Sequence, residues 1–208
     1  MKRDHTNIDE YIAELRASLQ SNNECGMTHY NLGVALLSKG EFRDAEIEFR
    51  AAISNSPTLV EGYVQLGGLC MHKGDLEGCL NYNKQAAQVR PRFATPWGNI
   101  GFVYLQMGDV KKAMPALERA VRYDPNFVQA HCTLASGYLM EKDVERAQAA
   151  CQRALEIEPQ FGPAWNNLAL CHLEKGEHAK AVEAIDKAVE TGFDVAPALL
   201  EQVAPYRA

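Results

Sequence analysis

Six cysteines and six histidines are the residues with most chemistry to offer in this chain. Thiolates and imidazoles bind metal ions, and a thiolate can attack an electrophile or exchange with a disulfide. Their spacing argues against both uses. Cys25, Cys70, Cys79, Cys132, Cys151 and Cys171 contain no CxxC pair, the close spacing on which structural zinc sites are usually built. His131-Cys132 and Cys171-His172 are sequence neighbours, and neighbours on a helix point about 100° apart, so neither pair chelates one ion easily. The cysteines are expected to be reduced structural thiols, with Cys70 and Cys79 the nearest candidates for a redox pair. The histidines are scattered, with His5 near the start and His29, His72, His131, His172 and His178 along the chain. No P-loop, dinucleotide glycine turn, nucleophile elbow or HExxH occurs. Carboxylate pairs such as Glu156 and Glu158 fall on faces expected to be solvated. These patterns assign no catalytic residue, no cofactor and no metal, and predict a protein that is not an enzyme.

Composition narrows the partners. The chain has 208 residues and a formal charge of −6, from 21 Lys and Arg against 27 Asp and Glu. A net acidic chain is a poor match for nucleic acid, whose non-specific affinity comes from cations meeting phosphates. The hydrophobic fraction of 47% is that of a packed protein rather than a disordered one. No transmembrane segment is expected, because no apolar run approaches the roughly 18 residues of a membrane span. The opening MKRDHTNIDEYIAELRASLQ is charged and lacks the apolar core of a secretory signal. A cytoplasmic location is the resulting expectation.

The elements that must position any site follow from an internal period. Pro57, Pro91, Pro125 and Pro159 stand 34 residues apart. Gly33, Gly67, Gly101, Ala135 and Ala169 keep the same step, as do Ala52, Ala86, Ala120, Ala154 and Ala188. Within a copy the apolar spacing is helical: Trp97, Ile100, Gly101 and Tyr104 form an i, i+3, i+4, i+7 face. A break follows at Gly108-Asp109, where glycine can end one helix left-handed and aspartate can cap the next. The other copies break at Gly40-Glu41, Gly74-Asp75, Lys142-Asp143 and Gly176-Glu177. Each copy is thus predicted to be a pair of short helices, neither able to bury its stripe alone.

The pattern W-x2-L-G-x2-Y, A-x3-F, then a closing alanine and proline resembles the tetratricopeptide repeat. That resemblance implies an all-α, right-handed α-solenoid with copies at residues 26–59, 60–93, 94–127, 128–161 and 162–195. Residues 1–25 carry Ile8, Tyr11, Ile12, Leu15 and Leu19 on an amphipathic helix from Asn7 to Gln20, a cap or a detachable arm. Residues 196–208 are expected to supply a single capping helix with Leu199, Leu200, Val203 and Tyr206 on its apolar side. The second copy departs most, with Cys79 and Asn83 in place of an alanine and an aromatic, and with Gly62, Gly68 and Gly78 expected to loosen it. Pro115 is expected to kink the second helix of the third copy.

The resemblance also implies a non-catalytic scaffold whose first helices line a concave groove for a partner protein or peptide. By register, the groove takes Tyr30, Asn31, Val34, Val64, Gln65, Gly68, His72, Gly98, Asn99, Phe102, Gln106, Cys132, Thr133, Ser136, Asn166, Asn167 and Leu170. Met27, Ser38, Glu61, Thr95, Gln129, Met140, Pro163 and Glu174 complete these faces. None is Lys or Arg, which argues against the lysine-rich clamps that hold acidic chaperone tails. The column Asn31, Gln65, Asn99, Thr133 and Asn167 is similar to the asparagine ladder of O-linked N-acetylglucosamine transferase. A row of amides could pair with the backbone of an extended peptide, or could simply be solvated. Gly68, Gly98 and Cys132, beside Phe102 and Val64, either leave a shallow apolar pocket or admit close helix packing. Alternative functions are a homo-oligomeric scaffold assembled through the N-terminal helix or end caps, and an accessory chaperone subunit of a specific enzyme.

Overall fold

The computed structural model describes residues 8–207. Those residues form twelve α-helices and no strand, an all-α fold of the α-solenoid class. No helix among them is long and apolar enough to cross a membrane. Two compact units divide the chain, residues 1–92 and 93–208. The first holds α1 (Ile8–Ser21), α2 (Gly26–Ser38), α3 (Phe42–Asn55), α4 (Val60–His72) and α5 (Leu76–Val89). The second holds α6 (Ala94–Gln106), α7 (Val110–Tyr123), α8 (Val128–Met140), α9 (Val144–Ile157), α10 (Gly162–Glu174), α11 (His178–Glu190) and α12 (Pro197–Val203). Asn7 and His5 lie outside the described residues.

Each pair turns where the sequence places glycine. Gly40, Gly74, Gly108 and Gly176 have φ between +70° and +78°, a left-handed conformation in which a Cβ is strained. The fourth copy makes the same turn with Lys142 at φ +60°. Asp75, Asp109 and Asp143 then cap the second helices, their carboxylates accepting from the backbone N–H of Gly78, Lys112 and Arg146. Glu41 and Glu177 hold the equivalent places without a side-chain cap.

The pairs lock by a protrusion on the second helix meeting a small residue on the first. A Cβ on Gly33 would lie 2.7 Å from Phe49 Cε1, and Cβ atoms on Gly67 and Gly101 would collide with Asn83 and Leu117. Phe49, Asn83 and Leu117 are themselves fully buried. Asn83 reconciles its polar amide with that position by donating to the Cys79 carbonyl at 2.8 Å. Two glycines expected to loosen the second copy are packing requirements instead. A Cβ on Gly62 would meet Ile53 Cγ2 at 2.7 Å, and one on Gly78 would strike the capping Asp75. Of these three glycines, only Gly68 faces open space.

Three further expectations change in detail. Helix α7 runs unbroken through Pro115, which is exposed. Solvent can therefore reach the Lys111 carbonyl that loses its intrahelical donor. The C-terminal helix stops at Val203 and tightens into a 3-10 turn, Ala204–Tyr206, because Pro205 has no N–H to continue it. Tyr206 stacks on His178 at 3.7 Å and Arg207 pairs with Asp186 at 2.6 Å, tying that end to α11. At the other end, Ile12 and Leu15 of α1 are buried in one cluster with Leu32, Leu36 and Phe49. The centre of the α1 stripe is thus covered by its own chain, while Ile8 stays exposed.

Candidate functional site

Charge is distributed unequally between the two kinds of helix. The five first helices carry two charged residues, Glu61 and Glu174, whereas the five second helices carry twenty-one. The first helices are the more apolar because most of their faces meet neighbouring helices. What remains exposed on them is largely neutral.

In the second unit, α6, α8 and α10 line a groove of about 480 Å³. Twelve of the expected positions meet there: Gly98, Asn99, Phe102, Gln106, Gln129, Cys132, Thr133, Ser136, Met140, Pro163, Asn166 and Asn167. Leu170 does not; it packs, partly buried, against the hydrophobic core of the unit. No Lys, Arg, His, Asp or Glu lines the groove. Cys132 is neutral as well, its thiol pushed up to about 12 by burial despite a hydrogen bond from Asn167.

Several polar groups of this wall are already engaged inside the protein. Thr133 donates back to the Gln129 carbonyl at 2.7 Å. Asn167 Nδ2 reaches across to α8 and donates to Ser136 Oγ at 2.9 Å and to the Cys132 carbonyl at 3.2 Å. Since a carbonyl can only accept, that contact fixes which end of the amide faces α8. Asn167 therefore clasps two first helices, a role its place in the amide column does not suggest.

Phenylalanines complete the groove, and the register of the first helices omits them. Phe127 and Phe161 stand at the entries to α8 and α10, Phe193 follows α11, and all three line the groove beside Phe102. The signal for Phe127 and Phe161 is present in the sequence: Leu59, Phe93, Phe127 and Phe161 each follow a repeating proline by two residues, whereas Phe193 follows none. A Cβ on Gly98 would lie 2.7 Å from Phe127 Cε1, so the space left by that glycine is filled by an aromatic ring. Gly98 serves close packing, and the ring becomes groove surface.

The first unit is more polar. Met27, Tyr30, Leu59, Glu61 and Arg90 line a depression of about 390 Å³, where Arg90 pairs with Glu61 at 2.8 Å. Arg90, at the end of α5, brings a cation that the first-helix register does not contain. Tyr30 rests on Phe49 with ring centroids 5.8 Å apart, and His72 stacks on Phe42 at 4.4 Å. Asn31, Val34, Val64, Gln65 and Gly68 line neither this depression nor the groove.

The thiols are reduced, as expected from the sequence. All six are free, and Cys151 on α9 and Cys171 on α10 lie close enough for their titrations to influence each other. That proximity and burial raise the Cys151 pKa far above its usual range. Both sulfurs sit in residues with no exposed surface. Among the described residues no group of His, Cys, Asp and Glu could hold a metal ion.

Comparison with solved structures places this architecture. YrrB, described as a TPR protein with an unusual peptide-binding site, matches with a TM-score of 0.70 at 19% identity, over 92% of this chain and 97% of that one. TTC0263, a thermophilic TPR protein of Thermus thermophilus, matches at 0.67 and 22%, over 86% and 97%. The APC/C hetero-tetramer Cut9–Hcn1 matches at 0.82 and 16%, over 95% of this chain and 40% of that one. At these identities the likeness is one of fold. No curated protein matches in sequence. Family models for the tetratricopeptide repeat match residues 3–59, 94–127 and 138–202. With its helix pairs, glycine turns and 34-residue step, the chain belongs to the tetratricopeptide repeat family.

Proposed function

We propose that this chain is a non-catalytic protein-interaction scaffold that holds a segment of a partner polypeptide in the groove of α6, α8 and α10. The observation that carries this is the exposed apolar surface gathered there, with Phe102 40% and Met140 51% exposed beside neutral amides. Contiguous exposed apolar surface marks an interaction site, and scaffolding is the usual work of the family. The cation-free lining disfavours a carboxylate-clamping role.

Capture of partners from native lysate tests this with two variants. Phe102→Ala with Gln106→Ala alters the groove at exposed positions, and Glu118→Ala alters the exposed side of α7. Partners should be lost with the first and kept with the second, at unchanged helicity. Equal capture by wild type and groove variant would move the site elsewhere. Self-association through α1 receives less support, because Ile12 and Leu15 at the centre of its stripe are already buried within the chain.

A further inference from the structure

Resting on the groove proposed above, we infer its specificity: it takes an internal, uncharged segment, anchored by an aromatic or branched aliphatic side chain and read through side chains more than backbone.

Charge is the first reason. A charged side chain entering this groove would lose hydration and meet no counter-ion, since the lining holds no ionised group. The same holds for a chain terminus, whose carboxylate or ammonium would be unpaired, so the segment is internal. The depression of the first unit differs, with Arg90 and Glu61 both present.

The second reason is where the hydrogen bonds have gone. Reading an extended backbone needs a row of donors and acceptors at regular spacing. The Thr133 hydroxyl points its proton at the Gln129 carbonyl, and the Asn167 amide nitrogen serves Ser136 and Cys132. Two successive members of the amide column are thus committed within the protein. Beside the amides of Gln106, Gln129 and Asn166, what the groove offers is apolar: the Phe102 ring, the Met140 thioether and the Phe127 ring filling the space at Gly98. Because that space is closed, an anchor lies flat against an aromatic wall rather than entering a slot, a geometry that favours planar or branched side chains.

Selection from a random twelve-residue peptide library displayed on phage tests the inference with the full-length chain. Enriched peptides should share a neutral window with one aromatic or aliphatic anchor and lose binding to Phe102→Ala. Synthetic copies with Glu or Lys at the anchor should bind at least about tenfold more weakly, whereas affinity should change less than about twofold between roughly 50 and 200 mM salt. A scrambled peptide of the same composition should not bind. If the selected peptides are rich in Asp, Glu, Lys or Arg yet still need Phe102, the specificity inferred here fails while the groove stands. Equal binding by the scrambled peptide would overturn side-chain reading alone. Peptides indifferent to Phe102→Ala, or no enrichment at all, would overturn the groove itself and this inference with it.

Discussion

Asn83 occupies the space in which any side chain on Gly67 would have to begin. The two residues sit on facing helices of the second pair, and the amide is wholly buried. The neighbouring Gly68 has nothing near it. Two adjacent glycines in one helix thus serve opposite ends. Gly67→Ala should cost about 1–3 kcal/mol by overpacking. Gly68→Ala should instead stabilise by about 1 kcal/mol, the ordinary helix preference of alanine over glycine. Urea unfolding of the two variants decides the matter. Effects of the same sign would mean that the contact does not govern position 67.

Lys142 makes its turn with a left-handed φ of +60°, where the other four copies use glycine. That conformation costs a non-glycine residue about 1–2 kcal/mol. Lys142→Gly should therefore raise stability by about 1 kcal/mol and Tm by about 2–4 °C. Calorimetry showing a lower Tm would indicate that the lysine stabilises the turn by other means.

The repeating turns were fully legible in the sequence, and so were the helix pairs. The first helices begin at Gly26, Val60, Ala94, Val128 and Gly162, keeping the 34-residue step of the prolines. The groove was legible only in part. Register on the first helices identified Asn99, Phe102 and Ser136, because periodicity fixes which way a helical side chain leaves the axis. It could not identify Phe127 or Phe193, which lie outside those helices. Nor could it show that Thr133 turns its hydroxyl inward or that Asn167 spans to α8, since rotamers depend on neighbours that spacing does not encode. Two glycines of the second copy misled for the same reason: propensity counts their cost, and only packing shows what Gly62 and Gly78 admit.

Glu46 of α3 links two elements of the first unit, pairing with Arg50 on its own helix at 2.8 Å and with Lys73 at the end of α4. Hydrogen bonds from Lys73 first, and then from Arg50, hold its pKa below the ordinary value of 4.5. A carboxylate depressed on folding stabilises above its unfolded pKa and loses that contribution as pH falls through the folded value. Glu46→Gln should therefore lower stability at pH 7 and match wild type once the acid range below about pH 4 is reached. Unfolding curves across roughly pH 3–7 should converge toward the acid end; parallel curves would remove Glu46 from the acid sensitivity.

Deletion of residues 1–21 tests the covering role of α1. Ile12 and Leu15 are buried in the core that α1 shares with α2 and α3. Each such side chain contributes about 1.5–3 kcal/mol by burial. The shortened chain should lose several kcal/mol of stability, while light scattering reports a mass reduced only by the deleted residues. A larger drop in mass, from assembly to monomer, would show that α1 joins copies.

Because no charged residue lines the groove of the second unit, the isoelectric point of about 5.5 belongs to a different surface. Colloidal behaviour and recognition are therefore separable properties of this chain. Exchanging arginines for glutamates on α7 or α9 would change its migration in an electric field and its retention on an ion exchanger. The same exchanges would leave untouched the neutral lining on which a bound segment would rest.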